Sequence, residues 1–413
     1  MPEDALTALI RDLIATRGPL SVADYMELAL QHPDYGYYRH GDPLGRAGDF
    51  ITAPEISQMF GEMIGVWCAE VWRGMGAPKA FALVELGPGR GTLMRDALRA
   101  TLKVKGFHDA MDLVLLESSA TLREAQNRAL AEHAPRHVDS LADCPPVPTI
   151  FIANEFFDAL PIRQFEKGFQ GWCERLVGTA KSQEFIGKDN QQGNGMPACA
   201  GMTGFRHDMP MGPDVTPAKA GVPFSYAHHK QDADSFLFML SAPDPAYALL
   251  IPEDRRDAKP GAVYEVSFAA LRIMRDLAQH LARHGGAALT LDYGAMEPAG
   301  VSTLQAISRH QRANVLGSPG SVDLTAHVDF GMLAVVSRKE GLAAHGAMAQ
   351  GEFLEAMGIR LRAAQLKQRA TPDQAKEIDA ALLRLTDSSQ MGTLFKAMAV
   401  SPQDLRDLPG FGR

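Results

Sequence analysis

The 413 residues, 46% of them hydrophobic, suffice for one large α/β domain with elaborations or for two domains sharing a cleft. The formal charge of −8 leaves no basic footprint, which argues against generic binding to nucleic acid and favours a protein or small-molecule substrate. Cys68, Cys144, Cys173 and Cys199 form no C-x-x-C pair, so neither a zinc knuckle nor a disulfide framework is expected, and a reducing cytoplasm fits.

Met1 to Leu20 mixes acids and bases in an amphipathic helical pattern, with Leu6, Leu9, Ile10 and Leu13 at helical spacing and a break at Gly18-Pro19. It lacks the uninterrupted apolar core of a signal peptide. No stretch elsewhere reaches the roughly 20 apolar residues of a membrane span, so stable membrane insertion is not expected. Residues 1–78 read as an N-terminal helical cap or lid. From Phe81 the pattern becomes that of a parallel α/β sheet: strand Phe81 to Leu86, helix Thr92 to Val104, strand Leu113 to Glu117, helix Ala120 to His133, and strand Thr149 to Ala153 after a Pro-rich loop.

Residues 79–161 are thus expected to form the first part of a core sheet. Residues 162–286 read as a large insertion after the fourth strand, with strand-like pieces over 162–177 and a long amphipathic helix from Tyr264 to His284. Residues 287–413 supply the rest of the core and C-terminal cap elements, starting with a strand Ala287 to Asp292 that runs into Tyr293-Gly294. Within the insertion, residues 178–232 are rich in Gly, Pro, Met, Gln and Asn and read as a loose surface loop. Pro197-Ala198-Cys199-Ala200-Gly201 is echoed by Pro217-Ala218-Lys219-Ala220-Gly221, which resembles a translated palindromic DNA repeat and suggests an insertion without catalytic role. The His228-His229 pair there reads as solvated loop.

The strongest chemical signal is the strand Phe81 to Glu85 running through Gly87-Pro88-Gly89-Arg90-Gly91 into a helix. Glycines let the backbone turn sharply while a cofactor lies where a Cβ would collide. Dinucleotide sites favour G-x-G-x-x-G, with a pyrophosphate on the helix N-terminus. Here the spacing is G-x-G-x-G with Glu85 two residues before, a pattern that resembles motif I of class I methyltransferases. An acid suits the cationic S-adenosylmethionine, which has no pyrophosphate. Glu117, closing the next strand, is placed to accept both ribose hydroxyls; Asp139, after a short strand at Arg136 to Val138, is a candidate near the adenine. A Gly turn flanked by ordinary strand-end carboxylates is the plainer alternative.

On the acceptor side, the fourth strand ends in Asn154-Glu155-Phe156-Phe157-Asp158. Ligands of open α/β sheets bind at the carboxyl ends of strands, so Asn154, Glu155 and Asp158 should face the methyl donor. Asn154-Glu155-Phe156 resembles the Ser-Glu-Trp segment of protein arginine methyltransferases, whose Glu grips the guanidinium; a carboxylate orients that cation and localises its charge. The plainer alternative is a loop acid capping the next helix. Upstream, Thr52-x-x-Glu55 reads as a capping box, and Asp49-Phe50-Ile51 as an approach that folds over the cofactor, making Phe50 and Thr52 candidate cofactor residues. Asp323, Thr325, His327 and Asp329 would share one side of a strand; a polar network near the cleft is expected there rather than a metal.

Taken together, GDFITAPEISQMFGE, VELGPGRGTL, ANEFFDALP, LDYG and DLTAHVDF resemble the MidA family of methyltransferases, and the likeness runs to Met391-Gly392-Thr393-Leu394-Phe395-Lys396. The resemblance implies a Rossmann-like class I methyltransferase sheet with an N-terminal helical cap, S-adenosyl-L-methionine as cofactor, and a protein arginine as acceptor. The family includes a mitochondrial assembly factor that methylates a core subunit of respiratory complex I, so such a subunit is the implied partner. Glu85, Gly87, Gly89, Gly91 and Glu117 would hold the donor. Asn154, Glu155 and Asp158 would present the acceptor. The alternatives are a non-catalytic assembly chaperone that binds the same cofactor, and an NAD(P)-dependent oxidoreductase, which the Gly spacing disfavours.

Overall fold

The structure, a computed structural model, describes residues 5–39, 52–182, 235–308 and 311–412. Helices α1 (Ala5–Arg17) and α2 (Val22–Gln31) flank the two-residue β1 (Leu20–Ser21), and the four-residue α3 (Ala53–Ile56) leads into α4 (Gln58–Gly74). The alternation follows as β2 (Phe81–Leu86), α5 (Thr92–Thr101), α6 (Phe107–Ala110), β3 (Met111–Leu116), α7 (Ala120–Ala129), β4 (Arg136–Val138) and β5 (Thr149–Asn154). Next come β6 (Arg163–Lys167), β7 (Trp172–Thr179), β8 (Phe236–Leu240), α8 (Pro245–Leu250) and β9 (Val263–Val266). Helix α9 (Phe268–His284) returns the chain to β10 (Gly286–Ala295), followed by β11 (Gln305–Ser308), β12 (Gln311–Ala313), β13 (Asp323–Thr325) and β14 (Val328–Asp329). The fold ends with α10 (Phe330–Lys339), β15 (Ala343–Ala349), α11 (Gln350–Ala356), α12 (Ile359–Lys367), α13 (Pro372–Thr386), α14 (Met391–Leu394) and β16 (Phe395–Ser401).

The central sheet has the order β15-β16-β10-β5-β2-β3-β4, parallel from β10 to β4, with β16 antiparallel to both of its neighbours. Its middle strands are apolar because both faces are covered. Along β5, Ile150 and Ile152 enter the core beneath α4 and α5, whereas Phe151 and Ala153 point to the opposite core beneath α9 and α10. The chain leaves β2 towards β3 and β4, then crosses back to β5 on β2's other side. That reversal opens a crevice at the carboxyl ends of β2 and β5, the place where open α/β sheets take ligands.

The insertion builds a second, antiparallel sheet, β1-β7-β6-β9 with β8 on β7. Of the segment 1–78 expected as one cap, α1 and α2 pack on this sheet and on the small β12-β11-β13 sheet through Leu6, Ile10, Tyr25, Val177 and Leu324. By contrast α4 lies on the central sheet, burying Phe60, Ile64 and Trp67. The helix expected from Tyr264 begins only at Phe268: Val263 to Val266 pair with β6 as a strand, and the Ser267 side chain accepts from the Ala270 N–H to start the helix. Gly178 and Thr179, expected in the foreign loop, continue β7 against β8. The remainder of that loop from residue 183, with both copies of the echo and His228-His229, lies outside the described residues.

Candidate functional site

Gly87, Gly89 and Gly91 have φ of 62°, 52° and 79°, the left-handed region that a side chain disfavours, so the turn after β2 needs glycine at each. The turn forms one wall of a cleft holding about 380 Å³ of space, partly open to solvent. Thr52, Glu55, Thr92 and Arg90 also line it, and Glu85, Asn154 and Glu155 stand at the strand ends. Glu85 is 3% exposed, burial pushes its carboxyl up to about 8, and its Oε2 has no hydrogen-bond partner among the described residues. A buried acid with an unused oxygen beside a side-chain-free turn suits a cationic ligand that lies against backbone.

The other donor-side candidates are placed differently. Gly91 caps α5 and packs against Leu130 and Gln126 rather than lining the cleft. Glu117 is fully buried behind the turn: one carboxylate oxygen accepts from the Ser119 N–H (2.9 Å), the other from the Gln126 amide (2.9 Å). The same Gln126 nitrogen donates to the Gly89 carbonyl at 2.7 Å, and His137 meets its oxygen at 2.8 Å, so Glu117 bears on the turn through Gln126. Asp139 pairs with Arg123 at 2.7 Å and does not reach the cleft. Phe50, with Asp49 and Ile51, lies outside the described residues.

The acceptor-side loop is wrapped around a carboxylate at the end of β10. Asp292 Oδ2 accepts from the backbone N–H groups of Phe156 (3.1 Å), Phe157 (2.9 Å) and Asp158 (3.2 Å), and Oδ1 from that of Tyr293 (2.9 Å). Glu155 itself sits at φ 50°, a left-handed conformation costing a non-glycine residue roughly 1–2 kcal/mol. Its N–H bonds the Leu291 carbonyl at 2.8 Å, which with the Asp292 contacts over-determines the bend. Bent this way, Glu155 lines the cleft while remaining 0% exposed. Oε1 accepts from the Ala53 N–H at 2.9 Å and from the Asn154 amide at 3.3 Å; Oε2 and Asn154 Oδ1 have no partner among the described residues. Burial pushes Glu155 up to about 7, opposed by those two donors.

Asp158 is buried one layer behind Glu155. Its carboxyl is raised well above the usual range by burial first, then by Asp292, Asp323 and Glu155; neither oxygen makes a well-formed hydrogen bond, the Tyr293 hydroxyl only tempering the shift. Asp292 is likewise raised, to about 8, by burial and Glu155, but four N–H donors favour its anion. Of the two, Asp158 therefore holds the proton. The strand expected to align Asp323, Thr325, His327 and Asp329 breaks after Thr325, because the Ala326 N–H turns to the Asp158 carbonyl (2.9 Å). Asp323 takes the Tyr38 hydroxyl at 2.6 Å, while Asp329 caps α10.

The capping box at Thr52 does not form either. Thr52 is the N-cap of α3 but makes no side-chain cap bond, and Glu55 reaches across to accept the Thr92 hydroxyl at 2.6 Å. Sequence reasoning missed this, and it missed Asp292 and Gln126 as anchors. Asp292 was visible as the polar end of an apolar strand; nothing local marks Glu55, whose partner Thr92 lies 37 residues away, or Gln126, which ties Gly89, 37 residues before it, to Glu117 and His137.

A Rossmann-like sheet with a glycine-lined, acid-rich cleft at its crossover defines a methyltransferase architecture rather than a dinucleotide site. A family of S-adenosyl-L-methionine-dependent methyltransferases matches residues 63–348. The chain is 33% identical over 425 residues to the mitochondrial protein arginine methyltransferase NDUFAF7 homolog of Drosophila melanogaster, covering 96% of this chain and 85% of that one. It is 34% identical over 426 residues to the mitochondrial protein arginine methyltransferase NDUFAF7 of Mus musculus, covering 96% and 85%. A crystal structure from Burkholderia thailandensis with S-adenosyl-homocysteine bound superposes with a TM-score of 0.73 at 26% identity, over 98% of this chain and 94% of that one. The chain belongs to the MidA family of class I S-adenosylmethionine-dependent methyltransferases, and S-adenosylmethionine is its cofactor. Among the described residues no helix is long and apolar enough to cross a membrane.

Proposed function

We propose that the chain transfers a methyl group from S-adenosylmethionine to an arginine of a protein substrate, and that the family likeness directs the search for it to core subunits of respiratory complex I. Support comes from the names of its relatives, which are protein arginine methyltransferases. The observation that carries the reading is a buried glutamate with an unused oxygen in the donor cleft itself. A guanidinium presents five N–H donors and stays charged in water, so it seeks such a carboxylate.

Bound S-adenosylmethionine supplies a methyl group already activated by its sulfonium, so the protein's task is alignment more than covalent help. Glu85, Gly87, Gly89 and Thr52 hold the donor in the cleft, with Gly91 and Glu117 fixing the turn from behind. On the acceptor side, Glu155 Oε2 and Asn154 Oδ1 receive guanidinium N–H groups, while Oε1 stays tied to α3. A carboxyl poised at about 7 can take the proton that the nitrogen loses as the N–C bond forms. Asp158 supports this from behind as a proton-bearing neighbour.

The test is mass spectrometry of the membrane-complex subunits from cells with and without the gene, followed by methylation of a purified subunit. Methyl groups on arginine that vanish with the gene and return with the enzyme are expected. Methylation confined to another residue type would overturn the arginine assignment.

A further inference from the structure

Among the described residues, the donor cleft is lined by three acidic residues, Glu55, Glu85 and Glu155, and one basic residue, Arg90. Glu85 and Glu155 were expected from the strand ends. Glu55 was not, since a capping role within α3 would have accounted for it. The structure removes that account, because the Glu55 side chain leaves its own helix and bonds Thr92, the first residue after the glycine turn.

The position matters for charge. Helix α5 has Gly91 as its N-cap, with no side-chain cap bond, so the positive end of the helix dipole lies at the glycine turn, where Thr92 lines the cleft. A helix start favours anions, yet the donor that must lie here carries a net positive charge. Glu55, half-buried and open to solvent on one side, sets a negative group on that helix start. The buried, partnerless Oε2 of Glu85 in the same cleft is a separate sign that the lining awaits a cationic ligand.

We propose that Glu55, held by Thr92, is a specificity-determining residue that makes the cleft prefer the cationic donor S-adenosylmethionine over its neutral product S-adenosyl-homocysteine. The two differ by the methyl group and the one positive charge it brings. A carboxylate within several ångströms in a partly screened cleft shifts the affinity of a cation by about tenfold and that of a neutral molecule far less. The consequence is product release: once the methyl is gone, the attraction that held the donor goes with it. This inference rests on the cleft being the donor site.

Calorimetric titration of the full chain with each compound tests it. Glu55→Gln keeps an oxygen for the Thr92 hydroxyl but removes the charge. S-adenosylmethionine should bind about tenfold more weakly to this variant, with S-adenosyl-homocysteine within about twofold of wild type. Thr92→Val removes the hydrogen bond that holds Glu55 on the helix start, so S-adenosylmethionine should weaken more than S-adenosyl-homocysteine and the preference should shrink; this variant decides the matter if Glu55→Gln does not fold. An equal loss for both compounds in Glu55→Gln, no loss for either, or an unchanged preference in Thr92→Val would overturn the proposal. Failure of wild type to bind either compound would instead overturn the donor-site reading itself.

Discussion

Donor affinity should rise with pH, and the structure sets the size of the effect. Burial holds the Glu85 carboxyl at about 8, so near pH 7 only about a tenth of molecules carry its charge, and near pH 9 about nine-tenths do. A cation favours the ionised form, so its binding lowers the Glu85 pKa and releases a proton. By linkage, the apparent affinity then falls as pH falls below that value, by about tenfold from pH 9 to pH 7. Calorimetry in buffers of different ionisation enthalpy reads both the affinity and the proton released. Glu85→Gln supplies the control, since its curve retains the donor's own titration and lacks that of Glu85. Parallel curves for wild type and variant, or an affinity that falls as pH rises, would refute the assignment of Glu85 to the donor's charge.

Glu155→Gln keeps an acceptor for the Ala53 N–H but cannot take a proton, so donor binding should stay within a few-fold of wild type while methyl transfer drops by at least about a hundredfold in single-turnover assays. Asp292→Ala leaves four buried backbone N–H groups without their acceptor; an unfolding free energy lower by about 3 kcal/mol or more is expected from denaturant titration, with loss of transfer in whatever remains folded. Replacing residues 183–234 by a short Gly-Ser linker should preserve activity and melting temperature, because Thr179 and Phe236 are already paired across β7 and β8 and the ends to be joined are close.

The core was legible in the sequence because buried parallel strands are short apolar runs, and Phe81 to Leu86, Leu113 to Glu117 and Thr149 to Ala153 read as such without any knowledge of partners. The glycine turn was legible for the same reason: its requirement is local. What escaped is what depends on distant partners. Thr52-x-x-Glu55 satisfies the capping pattern, yet Thr92 competes for Glu55 and Ala53 gives its N–H to Glu155, so long-range bonds displaced the local ones. Val263 to Val266 was absorbed into a helix because a four-residue strand is too short to show its period beside seventeen residues of amphipathic helix. The expected strand through Asp323 and His327 failed because its alternation is broken by a single backbone bond to Asp158.

These departures converge on one segment. Asn154 to Asp158 is bent by Asp292, strained at Glu155, bonded to α3 through Ala53 and to the β13–β14 connection through Ala326. Donor turn and acceptor loop are therefore linked through a four-residue helix: α3 gives its first N–H to Glu155 and extends Glu55 to Thr92. Because α3 is far too short to be stable on its own, its geometry is imposed by these two contacts and by the buried Ala53 and Pro54. Under the proposed function, a displacement of the glycine turn on donor binding would act on Glu155 through Thr92, Glu55 and Ala53, and the same few bonds that hold α3 in place would keep the Glu155 carboxyl in register with the donor.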